Sequence, residues 1–182
     1  MFEIVSILRI AGYKKHSFVD GPGVRFALFT QGCPHGCPGC HNPETWDEHG
    51  GMLTDTEEII RVLRSTHYLD GITISGGEPL LQPFAVLEIA EEAQALGLSV
   101  WMYTGYTFEQ IREGYAGIGA LQLLQEVDVL VDGRFIASRA YGSITDGTPV
   151  WCGSSNQRLI DVRQSLIAGH VVLWRELGMK LA

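Results

Sequence analysis

Three cysteines fall within eight residues of one another, at Cys33, Cys37 and Cys40. The C-x3-C-x2-C loop that they form also contains three glycines and two prolines, between Gly32 and Gly39. Three thiolates can hold three irons of a [4Fe–4S] cube and leave the fourth iron without a protein ligand. An open iron can bind and reduce a substrate as well as pass electrons. The spacing therefore predicts a [4Fe–4S] cluster whose metal ligands and catalytic residues are these three cysteines.

A structural zinc site is the alternative interpretation of the same loop, with His41 or Cys152 as the fourth ligand. Short zinc motifs usually occur as two separated pairs of ligands, and the sequence contains no second pair. Its four cysteines are also too few and too unevenly placed for a disulfide scaffold. The spacing favours iron–sulfur, and a zinc-stabilised interaction module remains the non-enzymatic alternative.

A second motif, the run Gly76-Gly77-Glu78-Pro79, follows a short apolar segment at 72–75 that is typical of a buried strand. In α/β folds the ligand-binding loops follow the carboxyl ends of strands. Two further polar residues occupy comparable positions, since Thr104 follows the segment 98–103 and Asp132 ends the segment 127–132. Taken alone, each of these signals is also typical of an ordinary turn.

Short β-rich runs alternate with helical patterns along the chain, which predicts parallel strands joined by crossovers and hence an α/β fold. A complete eight-unit barrel needs about 250 residues. The 182 residues therefore predict a partial, open parallel β/α barrel in a single domain, 1–182. The predicted strands are 24–31, 72–75, 98–103, 127–131, 158–162 and 171–174. The predicted helices are 54–67, 83–97, a short one after 107, 121–126 and a short turn of helix between the last two strands.

Capping signals predict where two of these helices begin. Thr54 with Glu57, and Thr107 with Gln110, each have the Ser/Thr-x-x-Glu/Gln spacing of a capping box. Before the first predicted strand, the segment from Asp20 to Arg25 contains a Gly-Pro-Gly run, which indicates a surface turn.

Charge and hydropathy exclude several classes of function. The chain has 13 Lys and Arg against 21 Asp and Glu, a net charge of −8, which argues against broad binding to nucleic acid or to anionic membranes. No run of about 18 uncharged apolar residues predicts a membrane span. The first ten residues lack the features of a secretory signal, so a cytoplasmic location is expected.

The cysteine loop after one strand and the Gly-Gly-Glu-Pro run after the next together resemble the radical S-adenosylmethionine (SAM) superfamily. The resemblance implies that SAM binds the open iron and that Gly76, Gly77 and Glu78 hold its methionine end. Thr104 and Asp132 are further candidates for this site by analogy. The sequence departs from the superfamily pattern at Gly39. In that pattern the residue before the last cysteine is often aromatic and packs on adenine. Tyr103 and His41 are candidates for that contact instead.

Longer blocks narrow the resemblance to activating enzymes of glycyl radical enzymes, and among these to the activases of the anaerobic ribonucleoside-triphosphate reductase. These blocks are the segments at 20–25, 40–46, 101–106, 128–135 and 153–158. The family implies that a reduced cluster cleaves SAM to methionine and a 5′-deoxyadenosyl radical, which removes hydrogen from a glycine of the reductase. It also implies a low-potential electron donor such as flavodoxin. An activase of the pyruvate formate-lyase type and another small radical SAM enzyme, such as a deazaguanine-forming one, remain alternatives.

Overall fold

The computed structural model of the chain describes residues 6–141 and 151–175, and these contain seven strands and five α-helices. In chain order the elements are β1 (Ile7–Ser17), β2 (Arg25–Thr30), β3 (Met52–Asp55), α1 (Thr56–Ser65), β4 (Gly71–Gly76), α2 (Pro83–Ala95), β5 (Ser99–Tyr103), α3 (Phe108–Arg112), α4 (Ala120–Gln125), β6 (Val129–Asp132), β7 (Arg158–Asp161) and α5 (Val162–Ala168).

The strands form one sheet in the order β3-β1-β2-β4-β5-β6-β7. Its four central strands, β2, β4, β5 and β6, run parallel, and helices lie between them along the chain. This centre confirms the predicted α/β fold with a parallel sheet. The sheet remains open because β3 and β7 form its two edges.

The strands outside this centre are antiparallel. The sequence patterns predict β7, at 158–162, but miss the other two. β1 pairs antiparallel with both β2 and β3, and none of the patterns predicts β1 or β3. The apolar alternation of β1 is short, because Leu8 and Ile10 are buried whereas 13–16 are exposed. The predicted strand at 171–174 is wrong, since that segment makes a single isolated bridge from Leu173 to Ile160 of β7.

One of the two predicted capping boxes is present. Thr107 caps α3, where its side chain accepts from the backbone of Gln110 and the Gln110 side chain accepts in return. The predicted box at Thr54 and Glu57 is wrong. Thr54 lies in β3, and the cap is Asp55, whose carboxylate accepts from the backbone N–H three residues later at 2.6 Å. A carboxylate is as good an N-cap as a hydroxyl, so the cap lies one residue later than predicted and the helix begins at Thr56.

The sheet buries apolar side chains on both of its faces. Alternate residues of β5 and β6 belong to two separate clusters, which therefore lie on opposite faces. The larger cluster includes the buried faces of the helices. The smaller one consists of Trp101, Val129, Val131 and Cys152, with Trp151 and Trp174 packed against it. The segment after β6 thus covers part of the sheet face that carries the smaller cluster, which we call the inner face.

Arg25 closes the amino-terminal end of this inner face, which corrects the expectation of a surface turn. Its side chain is fully buried and lies 5.7 Å from the Trp101 ring. The guanidinium donates to the Thr73 hydroxyl, to the Ser99 hydroxyl and carbonyl, and to a carbonyl of β4. Burial lowers the pKa of Arg25 to about 10, while Asp128 and Asp70 partly oppose that shift. Because its hydrogen bonds link β2, β4 and β5, the group has a structural role.

Replacing Arg25 by alanine should destabilise the fold by about 3 kcal/mol or more. The change leaves a cavity and removes the donor from four acceptors. The bonds to the Thr73 hydroxyl and to the β4 carbonyl are buried, and a buried acceptor costs about 1–3 kcal/mol when it is unpaired. Chemical denaturation of the two proteins measures the difference. Arg64→Ala is the matched control, because Arg64 is exposed and bonds only to Glu92 within the described residues. An equal effect of both substitutions would show that burial of Arg25 is not the cause.

Candidate metal centre

The cysteine loop begins where β2 ends, at the carboxyl edge of the parallel strands. Its first residues are fixed by backbone hydrogen bonds to the following segment, from Gly32 to the Thr45 carbonyl at 2.8 Å and from Cys33 to the Trp46 carbonyl at 3.1 Å. The amide of Cys40 donates to the Cys37 carbonyl at 3.0 Å. The loop therefore has a defined conformation that presents all three cysteines on one side of the sheet edge.

Backbone amides surround the thiols of this loop. Burial raises the pKa of the Cys33 thiol, and the N–H groups of His35 and Gly36 partly oppose that shift. Burial likewise raises the pKa of Cys37, and the backbone amide of Phe135, in the loop after β6, partly opposes that shift. The amide of Asn42 donates to the Cys40 sulfur at 3.4 Å. Amides aimed at sulfur stabilise thiolate ligands and the sulfurs of a bound cluster.

The Gly-Gly-Glu-Pro loop packs directly against the start of the cysteine loop. Gly77 donates to the Thr30 carbonyl at 2.8 Å, and Glu78 donates to the Gly32 carbonyl at 2.7 Å. Gly76 has a φ of +98°, which favours glycine. A Cβ on Gly77 would lie 2.2 Å from the Gly32 carbonyl oxygen, so no larger residue fits without a backbone shift. The two motifs are therefore in contact, as their common edge of the sheet predicts.

The carboxylate of Glu78 is fully buried and points into the protein. It accepts from the Thr104 hydroxyl at 2.8 and 3.0 Å, from the Gly105 amide at 2.9 Å and from the Leu80 amide at 3.1 Å. The imidazole Nε2 of His35 lies 2.7 Å from Glu78 Oε2. Both carboxylate oxygens thus have partners within the protein.

A cavity of about 470 Å³ lies between the two loops. All three cysteines line it, together with four of the six residues expected to bind the cofactor: His41, Gly76, Gly77 and Thr104. Glu78 and Asp132 do not line it. The cavity wall also includes Lys14, Val19, His35, Trp46, Tyr103, Arg134, Phe135, Trp151 and Cys152.

Asp132 lies behind the cavity wall, in contact with Arg158. Its carboxylate accepts from the Arg158 guanidinium at 3.0 and 2.5 Å and from the Phe108 amide at the start of α3 at 2.8 Å. Arg158 extends the network to Glu109, also on α3. Its guanidinium lowers the pKa of Glu109 to about 2. These contacts link β6, β7 and α3.

Replacing Arg158 by methionine should destabilise the fold by about 3–5 kcal/mol, because the buried Asp132 carboxylate loses its charged partner. Glu109→Gln removes only the half-exposed pair and should have a much smaller effect. Because the pKa of Glu109 is lowered in the folded protein, the ionised carboxylate stabilises the fold fully above pH ~4.5, the ordinary pKa of the group. This contribution is lost as the pH falls towards 2. Urea denaturation between pH 7 and pH 3 tests both statements. A stable Arg158→Met protein at pH 7 would contradict the first.

Sequence reasoning missed three residues of the site. His35 lies within the cysteine loop and contacts the second motif through Glu78. The Phe135 amide lowers the pKa of Cys37 against the effect of burial, and the Phe135 ring lies against the exposed His41, with ring centroids 5.4 Å apart. Arg134 adds an exposed cation to the cavity wall. The signal for the last two was the Asp-Gly-Arg-Phe run after a predicted strand, whereas no local pattern predicts the contact of His35.

The residues present fit an iron–sulfur cluster. Among the described residues, two buried nitrogens have no hydrogen-bond partner, His35 Nδ1 and Trp46 Nε1, and both residues line the cavity that contains the cysteines. In the same residues, no three His, Cys, Asp or Glu side chains are grouped so that they could hold a metal ion. The ligands of a [4Fe–4S] cube each bind a different iron, so they need not converge on one point.

The fold and the site define an α/β iron–sulfur protein with one cysteine loop at the carboxyl edge of a parallel sheet. Residues 19–160 match the sequence model of a family described as "4Fe-4S single cluster domain". The chain is 35% identical over 148 residues to the "anaerobic ribonucleoside-triphosphate reductase-activating protein" of Enterobacteria phage T4, covering 78% of this chain and 86% of that protein. The protein of the same name from Salmonella typhi is 35% identical, with 82% and 96% covered. That from Escherichia coli K12 is 34% identical, with 80% and 93% covered.

The chain therefore belongs to the family of anaerobic ribonucleoside-triphosphate reductase-activating proteins, within the 4Fe-4S single cluster domain proteins. The family match favours the iron–sulfur interpretation of the cysteine loop over the zinc alternative. Among solved structures, the crystal structure of QueE from Escherichia coli matches at a TM-score of 0.44 and 19% identity, covering 56% of this chain and 53% of that one. No helix within residues 6–141 and 151–175 is long and apolar enough to span a membrane.

Proposed function

We propose that this chain is a radical SAM activating enzyme that generates a glycyl radical on the anaerobic ribonucleoside-triphosphate reductase. The observation that carries the proposal is the meeting of the cysteine loop and the Gly-Gly loop at one cavity, in a chain similar to named activating proteins over most of its length. When bound, the reduced [4Fe–4S] cluster supplies the electron that cleaves SAM to methionine and a 5′-deoxyadenosyl radical, which takes a hydrogen atom from the partner's glycine. Cys33, Cys37 and Cys40 hold the cluster.

The cavity wall supplies groups suited to SAM. The backbone of Gly76 and Gly77 faces the cavity next to the cysteine loop and would bind the methionine end. Arg134 offers a cation for the SAM carboxylate. The neighbouring rings of His41 and Phe135 offer an aromatic surface for adenine, in place of the aromatic residue that Gly39 replaces.

Tyr103 is less suited to the adenine contact than His41. Its hydroxyl donates to the Trp151 carbonyl at 3.1 Å, and burial raises the pKa of Tyr103. The phenol is thereby held against the smaller apolar cluster.

Thr104 and Asp132 both have their polar atoms engaged within the protein. The Thr104 hydroxyl donates to Glu78, and the Asp132 carboxylate accepts from Arg158. Neither side chain has a polar atom left free for SAM in this arrangement.

The cavity reaches the protein surface, which suits a polypeptide substrate. Its wall includes Lys14 and Val19, and 76% of the Val19 surface is exposed. A glycine in an exposed segment of the reductase could approach the cluster and SAM along this side. A low-potential carrier such as flavodoxin would deliver the electron, as the resemblance implies.

An anaerobic assay tests the proposal. The iron-reconstituted protein is mixed with SAM, a strong reductant and the anaerobic reductase, and then frozen for electron paramagnetic resonance. A glycyl-type doublet is expected, together with methionine and 5′-deoxyadenosine in the same tube, and it should disappear when the target glycine is replaced. Cleavage products without a doublet would move the proposal to another glycyl radical enzyme. Neither signal, with zinc in the purified protein, would support an interaction module instead.

A further inference from the structure

The His35 side chain forms the one side-chain hydrogen bond between the cysteine loop and the Gly-Gly-Glu-Pro loop in the described part of the chain. Its Nε2 lies 2.7 Å from Glu78 Oε2, and the two side chains are 4% and 0% exposed. Backbone amides donate to both oxygens of Glu78, so the carboxylate acts as an acceptor and Nε2–H of His35 is the donor. A buried hydrogen bond to a carboxylate is among the stronger ones in proteins.

The carboxylate is held in place from the opposite side by the loop after β5. Thr104 and Gly105 donate to it, and the amide of Leu80 donates from its own loop. These partners occupy both oxygens of the Glu78 carboxylate, and Glu78 does not line the cavity. Gly76 and Gly77 do line it, so their backbone faces the cavity while the Glu78 side chain points away from it. The carboxylate thus forms a bridge between three loops at the sheet edge.

The imidazole of His35 is enclosed on its other sides. It lies edge-on to the Tyr106 ring, with centroids 4.8 Å apart and an interplanar angle of 72°. A Cβ on Gly105 would lie 2.3 Å from its Cδ2 atom. Gly105 does not have a positive φ, so its lack of a side chain is explained by the ring and not by the backbone. These neighbours hold the His35 ring in one position. In the sequence, His35 lies between the two cluster ligands Cys33 and Cys37.

The backbone hydrogen bonds between the two loops reach only Gly32, before the first cysteine. Beyond Cys33, the hydrogen bond from the His35 side chain to Glu78 connects the cysteine loop to the Gly-Gly-Glu-Pro loop. We infer that His35 is a positioning residue, which through Glu78 holds the cluster ligands at a fixed distance from the SAM-binding backbone of Gly76 and Gly77. This inference rests on the proposed function, because it concerns the geometry between cluster and SAM.

Two substitutions of His35 separate its hydrogen bond from its bulk. In His35→Gln the amide nitrogen can take the place of Nε2 and donate to Glu78, whereas in His35→Asn the side chain is too short to reach. We expect both variants to assemble the cluster, because the three cysteines are intact. The SAM concentration that half-saturates the change in the electron paramagnetic resonance spectrum of the reduced cluster should rise by at least ~10-fold in His35→Asn. It should stay within about 3-fold of the unsubstituted protein in His35→Gln, a difference below ~1 kcal/mol in affinity.

Iron and sulfide content, the SAM titration and the rate of SAM cleavage are measured for each protein, with His67→Asn as a surface-histidine control. Gly105→Ala gives the same test without altering His35, because its Cβ displaces the ring. If His35→Asn and Gly105→Ala bind SAM as the unsubstituted protein does, the inference is wrong. It is also wrong if iron is lost in proportion to SAM binding, or if glutamine fails to restore affinity. Absence of any SAM response in the unsubstituted, iron-loaded protein would overturn the proposed function instead.

Discussion

Replacing Cys37 by alanine is expected to abolish SAM cleavage and to reduce bound iron well below the four atoms of an intact cluster. The loop supplies three thiolates for a [4Fe–4S] cube, so loss of one leaves two irons without protein ligands. Cys37 is the middle ligand of the three, and it lines the cavity together with the other two cysteines. The fold should persist, because the cysteine is partly exposed and lies outside both apolar clusters.

Cys152→Ala is the matched control for this experiment. Cys152 lines the same cavity and carries the same functional group. Burial raises the pKa of its thiol to about 11, so it is protonated at neutral pH and a poor metal ligand. We expect iron content, measured by chemical assay and by the visible absorption of the cluster, to match that of the unsubstituted protein. Equal loss of metal from both variants would contradict the three-cysteine cluster and revive the zinc site with Cys152 as fourth ligand.

Gly77→Ala should reduce SAM cleavage by about 100-fold or more. The new Cβ would lie 2.2 Å from the Gly32 carbonyl oxygen and 2.9 Å from its carbon, so a backbone segment has to move. The same carbonyl accepts from the Glu78 amide, and Cys33 follows Gly32 directly. A displacement of about 1 Å between reacting groups can cost ~100-fold in rate. The loss should fall on SAM binding and cleavage, with a smaller effect on iron content.

Gly97→Ala is the control for Gly77→Ala. Gly97 has a φ of +74° and no atom within 4 Å of its would-be Cβ, so alanine there adds backbone strain without a clash. Strain of this kind costs about 1–2 kcal/mol of stability and should leave SAM cleavage unchanged. Cleavage is measured as 5′-deoxyadenosine formed per chain with excess reductant. A Gly77→Ala protein with unchanged cleavage would mean that the Gly-Gly backbone does not position SAM.

The sequence by itself determined the features that depend on neighbours along the chain. The spacing of the three cysteines, the Gly-Gly-Glu-Pro run after a strand and the capping box at Thr107 are each set within a few residues. The parallel centre of the sheet was also predictable, because alternating strand and helix patterns leave few other ways to pair the strands. Both motifs therefore could be placed at one edge of the sheet before the structure was known.

Only the tertiary structure decided which polar groups meet. His35 and Glu78 are separated by 43 residues, Asp132 and Arg158 by 26, and Arg25 and Ser99 by 74. Each pair is formed by residues of different strands or loops that the sheet order brings together, and no local pattern specifies that order. Burial then makes the pairing obligatory, since a charged group removed from water needs a partner wherever the fold places it. That physical requirement is why Arg25 is a core residue, and why the Glu78 carboxylate faces His35 and not the cavity.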